Sequence, residues 1–184
     1  MKKCLNELGK EHGGIQLMLR ILEAVARRLE GGQPVAEADL DAIVEFLSVF
    51  ADKCHHGKEE EFLFPALQTL EIPGGRETIK VLLEEHRKGR GLIGAMKAAI
   101  VGLETGEASA KGKIVQAGRG YIDLLTRHIE KENQFFRTAD GHLSEAEDNR
   151  LTAEFEKLEL ERIGPGKHEE FHALLDWLSR DYLK

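Results

Sequence analysis

The sequence is poor in the residues that break helices and in those that cross-link chains. Only four of its 184 residues are proline and two are cysteine. It contains no run of eighteen apolar residues, the length that a membrane-spanning helix needs. The alternation of apolar and polar residues that marks half-buried strands is also absent. Leucine, alanine, glutamate and lysine at helical spacing make up most of the chain, so the sequence predicts an all-α protein.

Positive charge is scarce as well. The chain has 26 basic and 33 acidic side chains, which gives a formal net charge of −7. Nucleic acids and anionic membranes attract basic surfaces, so we expect neither as a partner. Residues 1–14 contain no apolar stretch of the signal-peptide type. Because Cys4 and Cys54 form no Cys-x-x-Cys pair, we expect a cytoplasmic protein with reduced thiols.

Four glycine-containing breaks divide the chain at residues 31–34, 72–75, 105–107 and 140–142. The segments between them are about 30 residues long, and their short connections favour antiparallel neighbours. Residues 1–140 are therefore predicted to form an antiparallel up-down four-helix bundle. Ser144 and Glu147 have the spacing of a capping box that opens a fifth helix, and a sixth follows over residues 167–183. We expect residues 141–184 to form a helical hairpin that extends the bundle within a single domain, 1–184.

An internal repeat runs through the first 140 residues. Glu11-His12 resembles Glu85-His86 at an offset of 74 residues, and the segment that begins at His55 resembles the one that begins at His128 at an offset of 73. This pattern indicates a duplicated helical hairpin.

The repeated histidines are expected to share one level of the bundle. At about 1.5 Å per residue, His12 and His55 lie at nearly the same height above the first turn. His86 and His128 are related in the same way around the third turn. On the second helix, His55 and Glu59 continue an apolar stripe, whereas His56 and Glu60 are predicted to point nearly the opposite way. The members of that stripe are Leu40, Val44, Leu47, Ala51 and Phe62.

On the fourth helix, His128 and Glu132 continue the apolar stripe in the same way. Buried charges must be paired or must bind metal, and carboxylates with imidazoles suit a pair of iron or manganese ions. The predicted metal-ligating residues are His12, His55, Glu59, His86, His128 and Glu132.

The segment from His55 to Pro65 resembles the second-helix signature of the hemerythrin-like (HHE cation-binding) family, and residues 128–133 resemble its fourth-helix signature. The resemblance implies two iron ions joined by an oxo or hydroxo bridge, with manganese or zinc as possible substitutes. It also implies Glu59 and Glu132 as bridging carboxylates and the four histidines as terminal ligands. An open iron position would bind a small molecule such as O2, NO or peroxide.

The sequence departs from the oxygen-carrying members of that family. Those proteins have two histidines four residues apart on the third helix, but here the second position is Arg90. Their fourth-helix carboxylate is an aspartate one residue beyond the position of Glu132. We therefore expect a site with one histidine fewer than in the carriers, which favours binding or sensing of a small ligand over simple oxygen carriage.

Several alternatives remain at this point. The site fits a redox enzyme of the peroxidase, catalase or NO-reducing kind, an iron store or an oxygen carrier. A ferritin-like site and a metal-free polar network are further alternatives, and neither an electron donor nor a signalling partner is indicated. His142 is predicted to be exposed, and His168 and His172 either pack against the bundle or complete the site. Cys54 and Tyr121 are interpreted as core residues that lie near it.

Overall fold

The computed structural model describes all residues, 1–184, and 84% of them are helical, with no strand. The predicted all-α class is confirmed. None of the helices combines the length and the apolar character needed to cross a membrane. The helices are α1 (Lys3–Glu30), α2 (residues 37–68), α3 (Gly75–Glu104), α4 (Ala110–Ala139), α5 (Glu145–Arg162) and α6 (Lys167–Tyr182).

The helices end at the predicted breaks. Gly32, Gly74 and Gly106 have φ angles of 70°, 69° and 81°, a left-handed conformation that glycine adopts without steric cost. The predicted capping box is present, because the backbone N–H of Glu147 donates to Ser144 Oγ at 3.1 Å. The sequence therefore located the turns and the start of α5 correctly.

Helix α2 is irregular in the part that passes the histidines. It is α-helical over Glu37–Phe46, π-helical over Leu47–His56 and again over Glu59–Leu63, and α-helical over Phe64–Gln68. A π-helical turn contains more residues than an α-helical turn, so it rotates every later side chain relative to the α-helical pattern. Leu63, fully buried, takes the core position predicted for Phe62, which is only half-buried. The predicted stripe is right for the first half of α2 and wrong at Phe62.

The apolar core is divided into two clusters by a layer of polar side chains. On α1, one cluster contains Leu5 and Leu8, and the other begins at Ile15. Between them lie Glu11 and His12, both buried. The same division recurs on α2, α3 and α4, so the polar layer lies between two apolar regions of the bundle.

The C-terminal helices α5 and α6 pack on α1 and hold both of its ends. Asp148 on α5 accepts hydrogen bonds from the backbone N–H groups of Lys3 and Cys4, each at 3.0 Å. At the other end, Arg28 donates to the carboxylate of Asp181 at 3.0 Å. No local side chain caps the start of α1, so Asp148 supplies the cap and the favourable negative charge from more than 140 residues away.

Candidate metal centre

All six predicted ligand residues meet in the polar layer. Each is exposed by 2% or less, and they come from four helices: His12 from α1, His55 and Glu59 from α2, His86 from α3, and His128 and Glu132 from α4. Counting residues along each helix thus placed the histidines at the correct level.

The Nε2 atoms of these histidines face the two glutamates. Nε2 of His12 lies 3.1 Å from Glu132 Oε2, and Nε2 of His128 lies 2.8 Å from Glu132 Oε1. Glu59 Oε2 lies 3.4 Å from His86 Nε2. The Nε2 atoms of His86 and His128 are only 3.1 Å apart. Four helices therefore bring electron-pair donors together at one point.

The Nδ1 atoms point outward, each to a partner at the edge of the layer. Nδ1 of His55 lies 2.7 Å from Glu11 Oε2, and Nδ1 of His128 lies 3.0 Å from Glu85 Oε2. Since an ionised carboxylate only accepts, Nδ1 is the donor in each of these contacts, and a neutral ring protonated there presents the lone pair of Nε2 to the layer. This is the arrangement that orients metal-binding histidines.

The other two histidines are held in the same way. His86 Nδ1 donates to Glu60 Oε1 at 2.8 Å, and His12 Nδ1 donates to Asn133 Oδ1 at 3.0 Å. Glu60 and Asn133 are 73 residues apart, the offset of the repeat. Glu60 was predicted to point away from the layer, and it lies at the layer's rim, about one-quarter exposed.

The repeat also extends to the residues behind these partners. Lys58 donates to Glu11 at 2.6 Å, and Lys131 donates to Glu85. The chains Lys58–Glu11–His55 and Lys131–Glu85–His128 are therefore counterparts in the two halves. Sequence reasoning noted the repeated Glu-His pairs but gave their glutamates no role. The repeated lysine, three residues after each α2 or α4 histidine, was the signal that would have identified the network.

His56 is a fifth imidazole in the layer, and the prediction that it points away is wrong. It is 2% exposed, its ring stacks on His86 with centroids 3.9 Å apart, and its Nδ1 lies 3.4 Å from Asp52 Oδ1. The π-helical segment Leu47–His56 changes the rotation per residue, so two consecutive histidines both face the interior. The repeat is broken at this position, because the counterpart of His56 in the second half is Ile129, which is buried and apolar.

Arg90 occupies the rim of the layer. Its guanidinium donates to Asp52 at 2.8 Å and to Glu60 at 2.5 Å, so it holds the two carboxylates that contact His56 and His86. The expectation of one histidine ligand fewer than in the oxygen carriers stays a prediction, although His56 adds an imidazole to the layer. The layer contains five imidazoles, and the fifth comes from α2 instead of α3.

The charges of the two glutamates are strongly coupled. Burial, followed by the charge of Glu132, raises the pKa of Glu59 well above its usual value. Burial also acts to raise the pKa of Glu132, but the neighbouring rings of His128, His12 and His86 outweigh it and the pKa falls well below the usual value. Without an added cation, each of the two buried carboxylates therefore disfavours the negative charge of the other.

Unpaired buried atoms indicate what the layer is built to hold. His56 Nε2, both oxygens of Glu59 and Glu132 Oε1 are buried without a hydrogen-bond partner. Each such atom costs about 1–3 kcal/mol unless something satisfies it. The available ligand atoms fall into two groups that share Glu59, and within each group they lie within 4.8 Å of one another. The first contains His56, Glu59, His86 and His128; the second contains His12, His55, Glu59 and Glu132. This donor set fits a pair of metal ions.

The remaining singled-out residues lie outside the layer. His142 is exposed, as predicted, and His168 packs edge-on against Phe50 with ring centroids 5.2 Å apart. Cys54 is fully buried, and its burial raises the pKa of the thiol to about 12, so the thiol is protonated at neutral pH. Tyr121 is fully buried in the core, as interpreted from the sequence.

Comparison with known families agrees with this geometry. The sequence model described as the hemerythrin HHE cation-binding domain matches residues 5–139. Comparisons with curated proteins and with solved structures gave no significant match. The matched range contains every residue of the polar layer and excludes α5 and α6.

Proposed function

The chain belongs to the hemerythrin HHE cation-binding family, and from this premise we propose that the polar layer holds two iron ions that bind or sense a small ligand, O2, NO or peroxide. The ions would be held by nitrogen from His12, His55, His56, His86 and His128 and by carboxylate oxygen from Glu59 and Glu132, and Glu59 belongs to both groups of ligand atoms. The iron pair would supply a reversible electron and a coordination position open to a diatomic or peroxide ligand.

The proposed architecture is an antiparallel up-down four-helix bundle over residues 1–140, extended by the hairpin 141–184 within one domain. The order of the two core clusters supports it. Along α1 the cluster of Leu5 precedes the polar layer and the cluster of Ile15 follows it, whereas along α2 the order is reversed. The order reverses again on α3 and on α4, as expected when neighbouring helices run in opposite directions.

The broken repeat at His56 and Ile129 carries the functional proposal. The group around His56 has three imidazoles and one carboxylate, whereas the other has two imidazoles and two carboxylates. Where the first half has an imidazole, the second half has the apolar side chain of Ile129, which cannot ligate. An otherwise symmetric layer thus has one half with fewer nitrogen ligands, and that half would accept the exogenous ligand.

The orphaned atoms favour a metal centre over a metal-free polar network. A network selected for structure alone would pair its buried members, since an unpaired buried group costs more than an apolar replacement. Here four buried ligand-type atoms lack partners and all face the centre of the layer.

Location and partners complete the proposal. Both cysteines are free thiols, which supports a reducing, cytoplasmic setting. The net charge of −7 supports a small molecule, and neither nucleic acid nor a membrane surface, as the partner. Any electron donor or signalling partner would dock from outside the buried layer.

Elemental analysis of protein expressed with ample iron tests the metal centre. We expect two irons per chain, unchanged in His142→Ala and lost in His55→Ala. Absence of iron, manganese and zinc from the wild-type protein would refute the proposal.

Optical spectra of the iron-loaded, reduced protein, exposed separately to O2, NO and peroxide, test the ligand. A stable adduct supports binding or sensing. Sustained consumption of peroxide or NO would instead establish a di-iron redox enzyme and overturn the binding assignment.

A further inference from the structure

A second group of metal-ligand atoms lies outside the polar layer, between the bundle and the C-terminal hairpin. Ligand atoms of Glu11 on α1, Glu159 on α5 and His168 on α6 all lie within 4.8 Å of one another. From this geometry we infer that the three residues form a separate, exchangeable site for a divalent cation. The inference stands on its own residues and does not require the central layer to hold metal.

The site has the space that a hydrated ion needs. These three residues line a cavity of about 400 Å³, which is also lined by Phe46, Phe50 and Phe171. Gly14 also lines it, and a Cβ at that position would lie 3.6 Å from Leu175 and 3.9 Å from Phe50. The volume of about 400 Å³ leaves room for water, so an ion bound there would keep water among its ligands.

The imidazole of His168 is positioned and available. Its ring is held edge-on by Phe50 and lies against His172, one helical turn away, with ring centroids 5.0 Å apart. Neither ring nitrogen makes a hydrogen bond to the protein. His172, more exposed, lines the same cavity but does not belong to the group of ligand atoms.

The charge of the cluster favours a cation. Lys58, fully buried, donates to Glu7 at 2.7 Å, to Glu11 at 2.6 Å and to Glu159 at 3.1 Å. Three carboxylates against one ammonium leave two negative charges, and Lys10 at the cavity wall reduces the surplus to one. The ammonium fixes the two ligating carboxylates in place. Glu11 also accepts from His55 at 2.7 Å, so a cation would use one of its remaining lone pairs. One nitrogen and two carboxylates suit Zn²⁺, Mn²⁺ or Fe²⁺.

Equilibrium dialysis of the metal-loaded full-length protein against Zn²⁺, followed by elemental analysis, tests the inference. We expect the wild-type protein to contain one equivalent of metal per chain more than His168→Ala. Glu159→Gln should lose the same equivalent, although it keeps the hydrogen bond to Lys58. The matched controls are His142→Ala and Glu156→Gln, an exposed residue on the same helix as Glu159, and both should bind as the wild type does.

The two proposals fail in distinguishable ways. Equal metal content in wild-type protein and His168→Ala would overturn the third site, whatever the central layer contains. A one-equivalent difference in a protein whose central layer takes up no metal would retain this site and refute the proposed function.

Discussion

Replacing His56 by leucine separates a metal ligand from an ordinary core histidine, because the two roles predict opposite outcomes. In the metal-free protein the change removes an orphaned Nε2, which recovers about 1–3 kcal/mol. It also loses the stacking on His86, about 0.5–1.5 kcal/mol, and the long contact with Asp52, about 0.5–1.5 kcal/mol. Asp52 keeps its ion pair with Arg90. These contributions nearly cancel, so the free energy of unfolding of the metal-free variant should change by no more than about 2 kcal/mol in either direction.

The metal-loaded protein should respond much more strongly. Loss of a residue that merely orients a ligand lowers metal affinity by about 10–100-fold, so loss of a ligand should cost about 100-fold or more. That factor removes about 2.7 kcal/mol of metal-dependent stabilisation, because binding stabilises in proportion to the logarithm of the affinity. For a chain of this size the increase in Tm on metal loading should shrink by about 5–11 °C.

Thermal unfolding of metal-free and metal-loaded protein, with elemental analysis of both, measures the two effects. His142→Leu, at an exposed position, is the control and should alter neither. If His56→Leu retains two metals per chain and the wild-type increase in Tm, His56 is only a core residue and the argument from the broken repeat is refuted.

Two further predictions concern residues that act from outside the layer. In a chelator competition, Glu11→Gln should lower the affinity of the polar layer for iron by about 10–100-fold. The effect should exceed that of Glu85→Gln, because Glu11 is buried whereas Glu85 is partly exposed. Equal effects of the two variants would contradict this reasoning. Asp148→Asn should lower the free energy of unfolding by about 0.5–2 kcal/mol through the weakened cap of α1. Burial acts to raise the pKa of Asp148, but the backbone N–H groups of Cys4 and Lys3 outweigh it and lower the pKa. The stabilisation is therefore present above the usual aspartate pKa of about 3.9 and disappears as the pH falls through the lower folded value. A difference between wild type and Asp148→Asn that persists in denaturation curves at about pH 2 would contradict this assignment.

The sequence was sufficient to predict those features that depend on regular α-helix. Helix α4 is α-helical throughout, and its predicted face is buried from Ile114 to Glu132. The turns were equally accessible, because glycine marks each one and three of these glycines have a positive φ. The level of the layer followed from residue counts at about 1.5 Å of rise per residue.

The errors arose where the backbone leaves the α-helical pattern. The direction of His56 depends on rotation per residue, and the π-helical turns of α2 change that rotation without any glycine or proline at the point where they begin. Arg90 was compared with a family histidine at the same sequence position, whereas the added imidazole of His56 comes from another helix. The hydrogen bond from His86 to Glu60 joins two different helices. Such a contact cannot be inferred from the spacing of residues on a single helix.

The attachment of both ends of α1 to the C-terminal hairpin has a consequence for the order of events during synthesis. A ribosome that has released residues 1–140 has already made every residue of the polar layer, yet Asp148 and Asp181, which hold the two ends of α1, have not emerged. These two contacts of the helix that carries His12 and Glu11 therefore form only when α5 and α6 dock on it. Metal capture by the polar layer, as proposed above, would then be completed only after α5 and α6 have docked on α1.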